Sequence, residues 1–254
     1  MEKIFKALRE GGASLLFRRI IWVLSDKFPL FPPSVTLFGT SLSGNHKLLG
    51  KVINDVVVGN QYHIELIKKG GVVVDAGAHV GVFSLFVAEM NPDAKIYAFE
   101  PTPSTFKYLK ENTEGRPNIH CFNYGLGDKN ETTSIVETNN AAGNYIGKKG
   151  APGPVKTAAA SEYTIIGETP CEIKTLDSLN LPQVDFIKMD VEGFESKLLM
   201  GAKETIRKYK PIISMSAYHK PEDKTELPAI LNSIAPYTCV LHTEAEEDFV
   251  CKPN

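Results

Sequence analysis

The sequence predicts an α/β protein built on a parallel, doubly wound sheet with helices on both faces. Three observations carry that reading. From residue 61 onward, short runs rich in β-branched and aromatic residues alternate with stretches of helical periodicity. The runs are apolar along their length, as strands covered on both faces are. The first of them ends in a turn containing Gly77 and Gly81, which suits a strand-to-helix corner. In sheets of this kind ligand sites form beyond the carboxyl ends of the strands.

The first thirty residues have an amphipathic pattern that ends near Phe28-Pro29. It is read as a helix packed on the domain or on a second copy in a homodimer. A sharper alternative is a peripheral membrane contact, with Phe17, Ile21 and Trp22 in the interface and Arg18 and Arg19 at the headgroups. Residues 29–60 form a turn-laden connector with short strands expected near Ser34–Phe38 and Val52–Val58. Residues 1–60 thus make an N-terminal helix and connector, and residues 61–254 the main domain.

Within that domain Gly71–Asp75 is the first core strand and Val80–Met90 its helix. Ile96–Glu100 is the second strand, and Ser104–Asn112 a helix with Ser104 as its cap. Ile119–Tyr124 and Asp185–Asp190 are the third and fourth strands. A helix follows over Glu195–Lys208, then a fifth strand over Pro211–Ser216 and a helix over Leu227–Ile234. Tyr237–His242 and Asp248–Cys251 close the chain as an antiparallel hairpin. Between the third and fourth strands, residues 130–175 depart from the pattern. They are read as a lid or substrate-side insertion hung on strands at Thr132–Glu137 and Cys171–Lys174.

The chain has 254 residues, with 28 Lys and Arg against 30 Asp and Glu, a net charge of −2. That balance excludes a disordered chain and argues against a nucleic-acid partner, which calls for clustered basic residues. The four cysteines form no CxxC pair and no Cys/His cluster, so buried thiols are expected, with no disulfide scaffold and no metal site. No apolar run reaches the length of a membrane span, and a cytoplasmic location is expected.

The strongest chemical signal is Asp75-Ala76-Gly77-Ala78-His79-Val80-Gly81 at the end of the first core strand. A dinucleotide fingerprint places glycine two residues before Gly77, where pyrophosphate approaches the helix N-terminus. Here that position is Asp75, which would repel phosphate and suit an ammonium group. Glu100 ends the next strand, where an acid can accept both hydroxyls of a ribose. An amino group and a ribose without phosphate describe S-adenosylmethionine.

The blocks Val73–Ser84, Tyr97-Ala98-Phe99-Glu100-Pro101, Thr175-Leu176-Asp177-Ser178-Leu179 and Ile187-Lys188-Met189-Asp190-Val191-Glu192-Gly193-Phe194-Glu195 resemble the FkbM family of S-adenosylmethionine-dependent methyltransferases. The resemblance covers roughly residues 60–245. It implies the class I methyltransferase fold, a seven-stranded sheet in the order 3-2-1-4-5-7-6 with strand 7 antiparallel. It also implies O-methylation of a hydroxyl on a sugar, glycan or other small natural product. By resemblance Asp75, Gly77 and Gly81 hold the methionine part of the cofactor, Glu100 the ribose, and the Gly125-Leu126-Gly127-Asp128 turn, through Leu126 and Asp128, the adenine edge. Two positions depart from the family pattern. His79 stands where asparagine is usual, and no acid follows the fifth strand at Ser216.

Lys188 and Asp190 lie two apart and project to one face of the fourth strand, with Glu192 beyond its carboxyl end. A carboxylate there can face the cationic cofactor, orient the acceptor or take its proton. Asp190, Glu192 and Lys188 are therefore catalytic candidates, with Asp190 also a cofactor ligand; Lys188 can alternatively serve as a buried partner of the acids. Glu195 is read as the cap of the next helix. His219, in Ala217-Tyr218-His219, is a further candidate base, and His63 and His242 are weaker ones. An NAD(P)-dependent oxidoreductase and a catalytically silent cofactor-binding subunit are the competing readings.

Overall fold

The computed structural model describes residues 35–44, 46–139, 143–147, 164–243 and 246–254. The expected N-terminal helix, with its membrane or subunit contact, lies outside these residues. No described helix is long and apolar enough to cross a membrane.

A short hairpin opens the described chain, β1 (Val35–Leu37) with β2 (Thr40–Leu42). The second strand expected in the connector is instead helical. Helix α1 (His46–Ile53) runs on into a π-helical turn over Asn54–Val58, closed by the Gly59 N–H on Asn54 O at 2.7 Å. The run Val56-Val57-Val58 has strand propensity, but Val56 and Val57 are buried in the same core as Leu49, Val82 and Phe83, and tertiary packing overrides local preference.

The central sheet contains β3 (Val72–Ala76), β4 (Lys95–Phe99), β5 (Ile119–Phe122), β10 (Phe186–Met189), β11 (Ile212–Ser216), β12 (Tyr237–His242) and β13 (Asp248–Pro253). Its order is β12-β13-β11-β10-β3-β4-β5, and β13 runs antiparallel to both neighbours. This is the class I methyltransferase topology. Strand periodicity sends alternate residues to opposite faces. Val73, Ile96, Ala98 and Phe186 face a core built with α2 (Val82–Met90) and α3 (Pro103–Asn112). Val74, Ala76, Phe99, Ile187 and Met189 face a second core, with α4 (Glu195–Met200), α5 (Lys203–Tyr209) and α6 (Asp223–Ile234).

Two local expectations are corrected. Helix α3 starts two residues earlier than a Ser104 cap allows: Thr102 is the cap residue and Pro103 occupies the first turn, where its missing N–H costs nothing. Ser104 Oγ instead donates to Glu137. The single helix expected over Glu195–Lys208 is two, broken at Gly201-Ala202. A Cβ on Gly201 would sit 1.8 Å from Gly127 O, so the chain must turn there against a neighbouring backbone. Asp177, from the Thr175–Leu179 block, then caps α5 by accepting the N–H groups of Glu204 and Thr205 and the Thr205 hydroxyl at 2.7–3.0 Å.

The cysteine reading is corrected as well. Cys239 and Cys251 face each other in the β12–β13 register and form a disulfide, while Cys121 and Cys171 are free. Their separation of 12 in sequence carries no pairing signal; the hairpin register makes them neighbours.

The insertion, joined by β6 (Gly125–Leu126) just before it, folds as a second sheet in the order β6-β9-β7-β8, with β7 (Glu131–Thr138), β8 (Tyr145–Ile146) and β9 (Ile165–Lys174). It stands at the carboxyl edge of the central sheet and forms one wall of a cleft there, through Leu126, Ile135 and Tyr145.

Candidate functional site

The cleft lies over the carboxyl ends of β3, β4 and β10. Gly77, Ala78 and His79 form one side, Glu100, Pro101 and Thr102 a second, and Lys188, Asp190 and Glu192 a third. The β3–α2 turn is held by paired N–H bonds from Gly77 and Ala78 to Phe99 O at 3.0 and 2.9 Å. Gly77 has φ +76°, and a Cβ there would lie 1.8 Å from Asp190 O. Glycine at this position is a requirement of packing two strand ends side by side. Gly81 likewise serves packing: it lies outside the cleft lining, and a Cβ there would meet the Leu109 side chain at 2.9 Å.

Asp75 does not reach the cleft. Its carboxylate is fully buried, accepts the Ser84 hydroxyl at 2.7 Å and pairs with Lys188 Nζ at 3.1 Å. The expectation that Asp75 meets a ligand ammonium is corrected on this ground, because Lys188 already supplies its counter-charge. Lys188 also donates to Gly77 O at 2.7 Å. It is thus a buried tie between β10 and the β3–α2 turn.

Glu100 is placed to receive a ligand. Its two carboxyl oxygens accept the N–H groups of Thr102 and His79 at 2.9 and 3.0 Å, which fixes the side chain against the cleft. Burial raises its pKa above the ordinary carboxylate value despite those bonds. His79 has φ +51°, and its buried Nε2 has no hydrogen-bond partner among the described residues. Burial, with Lys188 nearby, lowers the ring pKa to about 4, so His79 is neutral at physiological pH. Leu126 lines the cleft with Gly125, whereas Asp128 is exposed and stands outside the lining.

Asp190 is the most heavily hydrogen-bonded acid of the cleft. Tyr62 donates to Oδ2 at 2.9 Å, and Ser216 and Tyr218 donate to Oδ1 at 3.1 and 3.3 Å. Burial alone would raise its pKa, but the Lys188 and His219 charges and these hydroxyls outweigh it and lower the value to about 2. Asp190 is therefore a fixed anion. Burial and this anion in turn keep the Tyr62 and Tyr218 hydroxyls protonated, as donors.

His219 is fully buried behind Asp190. Its Nδ1 meets Glu195 Oε1 at 2.9 Å, and its Nε2 lies 3.5 Å from both Asp190 Oδ1 and Glu192 Oε2. Burial opposes its charge, yet Glu195, Glu192 and Asp190 together raise its pKa to about 10. A buried ring that shares its proton among three carboxylates does not act as a free general base; that candidacy is corrected. Glu195 is not a helix cap either. Its Oε1 reaches back to the Val191 N–H at 3.1 Å and joins it to His219. His63 and His242 pack ring against ring at 4.3 Å, tilted by 51°, and neither lines the cleft.

Sequence reasoning passed over Tyr62, Tyr218 and the insertion residues Asn144, Tyr145 and Ile146, which line the cleft or bond to Asp190. Tyr218 adjoins a segment already singled out and was within reach. Tyr62 sits in the aperiodic stretch between the connector and the first core strand, where no local pattern marks it.

Residues 75–241 match the methyltransferase FkbM domain family. Among curated proteins, the chain is 27% identical to hexuronic acid methyltransferase AglP of Haloferax volcanii, over 74% of this chain and 72% of that protein. It is also 27% identical to 2-O-methyltransferase NoeI of Sinorhizobium fredii, over 68% of this chain and 74% of that one. Among solved structures it resembles an FkbM methyltransferase of Methylobacillus flagellatus with a TM-score of 0.52 and 19% identity. That match covers 83% of this chain and 56% of the other, and speaks to the fold alone.

Proposed function

The chain belongs to the FkbM methyltransferase family, and from that premise we propose that it transfers the methyl group of S-adenosylmethionine to a hydroxyl of a sugar, glycan or other small natural product. The observation that carries the cofactor is the Glu100 wall of the cleft. A carboxylate pinned by two backbone N–H groups keeps lone pairs on both oxygens for a pair of vicinal hydroxyls. The buried, unpartnered His79 Nε2 beside it is a second polar atom awaiting a ligand. These residues fit a nucleoside bearing an amino-acid tail. Asp75 supports it at one remove, by fixing Lys188 and hence Gly77.

When bound, S-adenosylmethionine supplies a methyl group already activated on a cationic sulfur. The protein's task is then mainly to position and to stabilise charge. Asp190, anionic and aimed at the cleft by three hydroxyls, faces that cation and orients an acceptor hydroxyl. Tyr62 and Tyr218 fix its direction. The insertion, through Asn144, Tyr145 and Ile146, shapes the acceptor side. The names of the two relatives, a hexuronic acid methyltransferase and a 2-O-methyltransferase, support a saccharide oxygen as acceptor.

Calorimetric titration with S-adenosylhomocysteine, with NAD as the parallel control, tests this reading. The former should bind and NAD should not. Glu100→Ala removes two charge-assisted bonds worth about 1.5–3 kcal/mol each and should weaken binding by more than about 100-fold, with the circular dichroism of the fold unchanged. Binding of NAD, or an affinity indifferent to Glu100→Ala, would refute it.

A further inference from the structure

Beyond the cofactor wall, the cleft ends in a group of side chains of which the proposed reaction uses only Asp190. Asp190 and Glu192 follow β10, and His219 follows β11, so three donor atoms from two adjacent strand ends meet within 4.8 Å of one another. His219 Nε2 has no hydrogen-bond partner, although the residue is fully buried. It points between Asp190 Oδ1 and Glu192 Oε2, each 3.5 Å away. Donor atoms about 3.0–3.5 Å apart are what bonds of about 2.0–2.2 Å at near-octahedral or tetrahedral angles require.

The surroundings of these atoms match a coordination shell. His219 is oriented from behind by Glu195 at Nδ1, the arrangement of a carboxylate that steers a ligating histidine. Asp190 is oriented by Tyr62, Ser216 and Tyr218. Glu192 has φ +53°, a strained conformation for a non-glycine residue, and it turns this side chain toward His219. Lys188, the nearest buried cation, is committed to Asp75. The open side of the three donors faces the cleft, which Asp190 and Glu192 both line.

We infer that Asp190, Glu192 and His219 form a divalent-cation site at the acceptor end of the cleft. Two carboxylates with one imidazole suit Mn²⁺ or a similar ion, which takes the place of the Nε2 proton and releases it to solvent. Resting on the proposed methyl transfer, its role is to orient and polarise the acceptor hydroxyl. The hydroxyl proton leaves to solvent, the oxygen pair forms the new C–O bond, and the C–S pair returns to sulfur as a neutral thioether. Sequence spacing hid the site, because its ligands come from two strands and only the parallel register brings them together.

The test uses the full chain, stripped with EDTA and titrated with Mn²⁺ alone, followed by electron paramagnetic resonance. One Mn²⁺ per chain should bind, with echo modulation from a ligating ¹⁴N. Glu192→Gln, at a partly exposed side chain, should fold normally and weaken binding by at least about tenfold. His219→Ala, if it folds, should lose the nitrogen signal. Absence of stoichiometric binding, absence of the nitrogen coupling, or indifference to Glu192→Gln would overturn the site. S-adenosylhomocysteine titration of the same sample separates the two readings. Its binding without Mn²⁺ binding overturns the cation site alone, and Mn²⁺ binding without it keeps the site and overturns the cofactor.

Discussion

Replacing Lys188 with methionine should expose what holds the floor of the cleft. The Lys188 ammonium lies 3.1 Å from Asp75 Oδ1 and 2.7 Å from Gly77 O, and both side chains are cut off from water. Lys188→Met leaves Asp75 as a buried carboxylate with only the Ser84 hydroxyl for support. Breaking a buried pair from one side costs about 3–5 kcal/mol, because the remaining charge is uncompensated. For a domain of this size that is a fall in melting temperature of about 6–20 °C. Asp75→Asn should be costly too, since it strands the ammonium. The double variant removes both charges and should recover about 1–3 kcal/mol relative to the sum of the single losses. Urea unfolding of the four proteins at one pH measures the cycle directly. Additivity within about 0.5 kcal/mol, or a Lys188→Met loss under about 1 kcal/mol, would refute the view that Asp75 and Lys188 are mutual counter-ions.

Other perturbations follow from single contacts. Gly77→Ala combines the left-handed penalty of about 1–2 kcal/mol with a clash against Asp190 O, and should cost clearly more than Gly115→Ala, where φ is +79° and no atom lies within 4 Å; equal losses in thermal melts would sink the packing argument. Asp177→Ala removes the acceptor for two N–H groups at the start of α5 and should cost about 1–2 kcal/mol, read as a lower urea midpoint at constant slope. Burial opposes ionisation of Asp185, but Lys68, the Val72 N–H and Gln183 outweigh it and hold its pKa below the usual aspartate value. Stability from this group is therefore full above the unfolded aspartate pKa and is lost as pH falls through the lower, folded one. Asp185→Asn should flatten that part of the acid limb below about pH 4, and an unchanged acid profile would contradict the assignment.

The sheet and its order were open to sequence reading because they rest on local patterns. Val72–Ala76, Lys95–Phe99 and Phe186–Met189 are short apolar runs with helical stretches between them, and the quoted blocks carry the family resemblance that orders them. Glu100 and Asp190 were also legible, since residues at strand ends in such a sheet stand where ligands bind. What sequence could not decide was which charges meet. Asp75 and Lys188 are 113 positions apart, and the β3–β10 register alone turns an apparent ligand carboxylate into a buried counter-ion. The Val56-Val57 run became helical, and Cys239 and Cys251 became a disulfide, for the same reason: burial and register act between segments distant in the chain. His219 shows it most plainly. A histidine alone in sequence reads as a base, but three carboxylates meet around it, brought there by β10, β11 and α4, with Nδ1 tied to Glu195 and Nε2 set between Asp190 and Glu192, and only the tertiary structure supplies those neighbours.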